Sequence, residues 1–222
     1  MNTELLNDPA CVLYLDLSKK DGNSFRSGDR YGRLCTNTGT KATPQGRYFD
    51  GMDDRILVQD FYPALSTISA FSFIGWLKTL TFLPENPHLA NLFNFGGGTP
   101  PNTTGLAFQQ TTAIPNAYHF VNGSDSSWQT LRIEKSLDTN TFYCFAGSIR
   151  KNTVKRVYLN GDLANSSTAA AQTQMITSTN PFGIGNSWKL HGYLAHITVF
   201  YRELCPQEIQ TYYEITRGEY QK

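Results

Sequence analysis

The chain is poor in the features that usually assign a protein to a chemistry. Its four cysteines, Cys11, Cys35, Cys144 and Cys205, are scattered and form no Cys-x-x-Cys pair, which excludes a disulfide framework. Neither sign of charge is in excess: 19 Lys and Arg against 18 Asp and Glu leave a net charge of +1. No basic field exists to draw in a nucleic-acid backbone or an anionic membrane. No stretch approaches the roughly 18 apolar residues of a membrane span, and the first residues lack the basic-then-apolar pattern of a secretion signal. We therefore expect a soluble, unprocessed chain with no nucleic-acid partner and no membrane insertion.

Catalytic signatures are missing too. His88, His119, His191 and His196 show no zinc-like spacing. Gly96-Gly97-Gly98 lacks the Gly-Lys-Ser/Thr ending of a phosphate loop, and no Gly-x-Ser-x-Gly elbow is present. Sequons at Asn102, Asn122 and Asn165 arise readily by chance in a chain rich in Asn, Thr and Ser.

Apolar surface and turn residues are plentiful. Hydrophobic residues make up 40% and aromatics 13%, with 18 Gly and 10 Pro to break the chain into short pieces. Apolar or alternating runs recur about every ten residues, the spacing of an all-β sandwich or barrel. Strands are expected at 12–16, 55–59, 70–80, 89–95, 106–109, 117–121, 128–133, 141–148, 154–159 and 192–201. Asp50-Gly51, Asn122-Gly123 and Asn160-Gly161 are expected as tight hairpins, because Asn, Asp and Gly tolerate the positive φ such turns require. A helix is expected from Pro206, with Glu208 in its first turn, ending before Gly218. No internal repeat or compositional shift divides residues 1–222, which read as one domain.

Several of these segments, in order, resemble the laminin G-like (concanavalin A-like lectin/glucanase) family, particularly its bacterial and viral branch. Leu13-Tyr-Leu-Asp16 is similar to the family's first strand, and Tyr48-Phe-Asp-Gly-Met-Asp-Asp54 to its Phe-Asp-Gly-x-x-Asp turn. Phe71 to Lys78 resembles the strand ending Trp-Val-Lys, Val157 to Gly161 resembles Leu-Tyr-Val-Asn-Gly, and Gly183 to Asn186 the strand ending Ile-Gly-Asn. Gly192 to Ile209 is similar to the family's last strand and helix start, although Ala195 and His196 replace an Asp-Glu pair there. Phe142 stands where many members carry Trp. The resemblance implies a two-sheet antiparallel jelly-roll sandwich with a short C-terminal helix. It also implies antiparallel first and last strands, which would bring Cys11 near Cys205; Cys144, in an apolar run, is expected as a buried free thiol.

Side chains alternate along a strand, so Phe71, Phe73 and Leu77 are expected inward, as are Ala195, Ile197 and Val199. Ile74, Trp76 and Phe200 then form an apolar second face, expected to meet a covering loop or a protein partner. The Glu-x-Asp-x-x-Glu run of laminarinase-like glycanases is absent, so no carboxylate pair for glycoside hydrolysis is expected. Asp50, Asp53 and Asp54 share one turn, where they either satisfy nearby amides or contribute oxygen ligands to a structural calcium ion. Trp188 and His191, just before the last strand, and Tyr118 and Trp128, flanking Asn122-Gly123, are candidate ligand-binding residues, since aromatic rings suit stacking on sugars. These features describe a non-catalytic binding or structural module. The leading expectation is a decoration component on a larger assembly, at a virion or cell surface, with a protein partner; the alternative is a lectin-like glycan- or receptor-binding module.

Overall fold

β-branched and aromatic residues in short alternating runs build sixteen strands among the described residues. The structure, a computed structural model, describes residues 5, 7–18, 22–61, 68–82, 91–95, 106–111, 116–123, 128–169, 182–185 and 190–221. The first half contains β1 (Cys11–Asp16), β2 (Ser24–Arg26), β3 (Leu34–Thr38), β4 (Lys41–Thr43), β5 (Gly46–Asp50), β6 (Arg55–Val58), β7 (Ala70–Thr79) and β8 (Asn91–Phe95). The second contains β9 (Leu106–Thr111), β10 (Ala117–Gly123), β11 (Trp128–Arg132), β12 (Phe142–Arg150), β13 (Val154–Leu159), β14 (Asp162–Ser167), β15 (Phe182–Ile184), β16 (His191–Phe200) and helix α1 (Pro206–Tyr220). One sheet runs β14-β13-β12-β7-β16-β5-β4, with β1 also on β16, and the other runs β11-β10-β9-β8-β15-β6-β3-β2. Every recorded pairing is antiparallel, including the expected one between the first and last strands.

The sandwich core is aromatic. Phe71, Phe73 and Leu77 of β7 point inward as expected, as do Ile197 and Val199 of β16. Phe73 meets Phe93, Phe108 and Phe120 of the facing sheet at ring separations of 4.7, 5.1 and 5.2 Å. Each such buried ring contributes about 1.5–3 kcal/mol. Gly147 is required opposite them, because a Cβ there would stand 2.3 Å from the Phe73 ring.

The outer face of the first sheet carries a second apolar layer, and α1 covers it. Ile74, Trp76 and Phe200 are completely buried with Tyr158, Cys144 and the helix residues Ile209 and Tyr212. The expectation that these three side chains meet a partner is therefore corrected: the protein's own helix takes that place. Trp76 Nε1 donates to Thr216 Oγ1 at 2.9 Å, so even the indole polar atom is satisfied within the chain. A register shift between Leu194 and His196 places Leu194 in the sandwich core and Ala195 in the outer layer, which corrects the expected inward Ala195.

The helix begins at Pro206 as expected, with the Glu208 carboxylate accepting from the Cys205 amide at 2.7 Å. It continues through Gly218 to Tyr220, three residues past its expected limit. Packing explains the extension: the Tyr220 ring lies 4.9 Å from Trp76 and 5.3 Å from Phe142.

Of the three expected hairpins, Asn160-Gly161 is one. Leu159 pairs with Asp162, and Asn160 and Gly161 adopt φ of 51° and 87°. Asn122 and Gly123 instead extend β10, pairing with Gln129 and Trp128. Asp50-Gly51 joins β5 of one sheet to β6 of the other, which makes it a corner and not a hairpin. Cys11, Cys144 and Cys205 are free thiols, the first two buried and Cys205 exposed. Burial raises both buried thiols, Cys11 to about 12.

Candidate ligand cleft

The sequence-derived candidates separate in space. Tyr118 is fully buried, stacked at 5.3 Å on Phe108, with its hydroxyl 2.7 Å from Thr79 Oγ1. It is a core residue, and the expectation that it binds a ligand is corrected; burial pushes its phenol up to about 12. Trp128 opens β11, but its side chain lies outside the described residues, as does all of Trp188. His191 is half-buried at the start of β16, where its Nε2 lies 3.4 Å from the Tyr48 hydroxyl.

From His191 a strip of rings crosses the open end of the first sheet's outer face. His191 meets Tyr48 edge-on at 6.1 Å, and Tyr48 lies 5.3 Å from Tyr193. The alternation of β5 and β16 places these side chains together, since Tyr48 and Tyr193 are register partners. Tyr193 is in turn the partner of Lys78, and Lys78 of Phe142. The Lys78 ammonium sits 4.6 Å from the Tyr193 ring and 5.1 Å from Phe142, and Phe142 meets Tyr220 at the end of α1.

Where α1 ends, a cleft of ≈ 640 Å³ opens, lined by Pro44, Gln45, Lys78, Asn140, Thr141, Phe142, Glu219, Tyr220 and Gln221. Lys78 forms part of its floor, donating to Gln45 Oε1 at 2.6 Å. Burial lowers the Lys78 pKa from its ordinary value. Phe142 and Tyr220 offer apolar ring surface, while the amides of Gln45, Asn140 and Gln221 offer both donors and acceptors. Sequence reasoning identified His191 but missed Lys78, Tyr48, Tyr193 and Tyr220. Lys78 was legible as an outward position of β7; Tyr193 was not, because strict alternation from Ala195 puts it inward and the bulge at Leu194/His196 turns it out, nor was Tyr220, whose place depends on how far the helix runs.

The acidic corner abuts the other end of the strip, where a Cβ on Gly51 would lie 2.9 Å from that of His191. Ligand oxygens of Asp50, Asp53 and Asp54 lie within 4.8 Å of one another. Two of these carboxylates already serve the backbone. Asp54 Oδ2 accepts from the Asp50 amide at 2.9 Å, and Asp50 Oδ1 from the Met52 amide at 2.8 Å. Burial raises the Asp54 pKa, with the Asp50 amide opposing the shift. These bonds account for the Asp54 and Asp50 carboxylates as turn acceptors, while the three together keep the all-oxygen donor set that a calcium ion takes.

Known proteins agree with this architecture. The family model described as the concanavalin A-like lectin/glucanases superfamily matches residues 49–210. No curated protein matches the sequence. Among solved structures, the receptor binding domain of botulinum neurotoxin D is similar at TM-score 0.72 and 15% identity, covering 95% of this chain and 54% of that one. The ligand binding domain of botulinum neurotoxin serotype D in complex with N-acetylneuraminic acid is similar at 0.70 and 13%, covering 92% and 50%. A Trypanosoma rangeli sialidase in complex with 2,3-difluorosialic acid is similar at 0.68 and 15%, covering 98% and 35%. The chain thus spans about half of the toxin domains and about a third of the sialidase. Among the described residues no helix is long and apolar enough to cross a membrane.

Proposed function

The chain belongs to the concanavalin A-like lectin/glucanase superfamily, and on that premise we propose that it is a non-catalytic, lectin-like module that binds glycan in the cleft beside the end of α1. One observation carries the reading: the rings of Tyr220 and Phe142 line a pre-formed depression edged by amides and the Lys78 ammonium, and the half-buried rings of Tyr193 and Tyr48 continue from Lys78 beside it. Sugars need this combination, because their C–H faces stack on rings while their hydroxyls need paired donors and acceptors. Sialic acid-type ligands held by two structures of similar fold support it. Glu219 is the acidic residue of the cleft lining, so the cleft does not carry the carboxylate pair that most glycoside hydrolases use.

The decoration reading loses its main support. It rested on Ile74, Trp76 and Phe200 as a surface for a protein partner at a virion or cell surface, and all three are sealed under α1.

Tyr193→Ala tests the cleft. Binding to a glycan array and titration of the best hits should weaken by about tenfold, roughly 1.4 kcal/mol, while the melting temperature stays nearly constant. Undiminished binding would place the glycan site elsewhere on the protein.

A further inference from the structure

Lys78 is a mostly buried cation at the end of β7. The residue is 8% exposed, yet among the described residues no carboxylate lies within ion-pairing distance of its ammonium. Several part-buried arginines of this fold have carboxylates: Arg33 has Asp29, Arg156 has Glu203, and Arg202 has both Asp8 and Glu208. Lys155 also lacks a carboxylate, but it is enclosed between the sheets, where it donates to Asn122 Oδ1 at 2.6 Å and Gln129 O at 3.1 Å. Lys78 differs because it lines an open cleft.

Taking an ammonium out of water costs several kcal/mol unless a counter-charge is near. The faces of Tyr193 and Phe142 return about 0.5–2 kcal/mol each at best. Gln45 Oε1 accepts from one of the three ammonium donors, which leaves capacity for a further acceptor. An anion arriving in the cleft would meet a partly desolvated, pre-positioned partner. Glu219 lines the same cleft and repels negative charge from its own side, so it orients a singly charged ligand and disfavours a densely charged one.

We propose that the cleft is selective for acidic glycans carrying a single carboxylate or sulfate, seated on Lys78 Nζ, with the adjoining sugar against the neighbouring aromatic rings. This rests on the glycan-binding reading and specifies its ligand class. The full chain is titrated with 3′-sialyllactose, 3′-sulfolactose and lactose, which separate the carboxylate source, the sulfate source and the neutral scaffold. At least one acidic probe should bind tenfold or more tightly than lactose. Lys78→Met should abolish that preference while changing lactose binding less than threefold, and Lys78→Arg should retain it. Thermal melts should show neither variant less stable than the wild type. Equal affinity for all three probes, or a preference that survives Lys78→Met, overturns the acidic selection and leaves a neutral-glycan cleft standing. Absence of binding to all three probes also overturns it, and absence of binding across a broad glycan array overturns the glycan reading itself.

Discussion

Two halves of one sheet face carry different chemistry. Under α1, the outward side chains of β7, β12 and β16 are Ile74, Trp76, Cys144 and Phe200, all buried. Past the end of α1 the same strands present Lys78, Phe142 and Tyr193, edged by Gln45 and Tyr220. The covered half gains free energy by excluding water, and its polar atoms find partners inside the chain, as Trp76 does on Thr216. In the open half, rings and a partly desolvated ammonium stay available to a visitor. An apolar outer face therefore reports the protein's own cover, and the mixed aromatic-polar face beside it is the one on which the proposed glycan site rests.

The largest expected effect separates the halves by stability. Trp76→Ala removes a fully buried indole from beneath the helix and should destabilise the protein by about 3–5 kcal/mol in urea titration. A loss below about 1 kcal/mol would mean that α1 does not seal this layer.

Acid should attack the covered half next. His196 is buried between the hydroxyls of Tyr212 and Tyr220, with Asp16 as its register partner on β1 and Trp76 as its partner on β7. Burial lowers its pKa from the ordinary 6.5 to about 4, against an opposing pull from Asp16. The unfolded chain takes up the proton first, so stability present above pH 6.5 is lost as the pH falls through that window, on the order of 3 kcal/mol by pH 4. His119, lowered to about 3 by burial and by the charges of Lys155 and Arg132, acts with the same sign. His196→Gln should therefore flatten the wild-type profile between pH 6.5 and 4 without removing all of its slope. A profile identical to wild type would assign the whole acid response elsewhere.

The smallest expected change falls in the open half. Tyr193→Ala should cost less than about 1 kcal/mol of stability, since the ring is only partly buried. A loss as large as that of Trp76→Ala would erase the distinction and make Tyr193 a core residue.

Strand periodicity made the inward side chains of β7 legible, and the Asn160-Gly161 turn followed from local backbone chemistry alone. The acidic corner was legible as a turn but not as a crossing between sheets, because adjacency in sequence does not say which sheet the next strand joins. His191 could be singled out by its place before the last strand. Its neighbour Tyr48 lies 143 residues away in the chain, so their contact was invisible until the register was known.

Composition, alternation and ordered motifs determined the all-β sandwich, its inward aromatic core and the helix start at Pro206, because these depend on local propensity and on the period of two that every strand shares. Tertiary structure decided which outward apolar residues are covered and where the cover stops. The bulge at Leu194/His196 reassigns Ala195 to the outer layer, and the packing of Tyr220 carries α1 past Gly218. The position of that last turn sets the boundary between a sealed hydrophobic layer and a cleft lined by Lys78, and it is a property of long-range packing that no local pattern encodes.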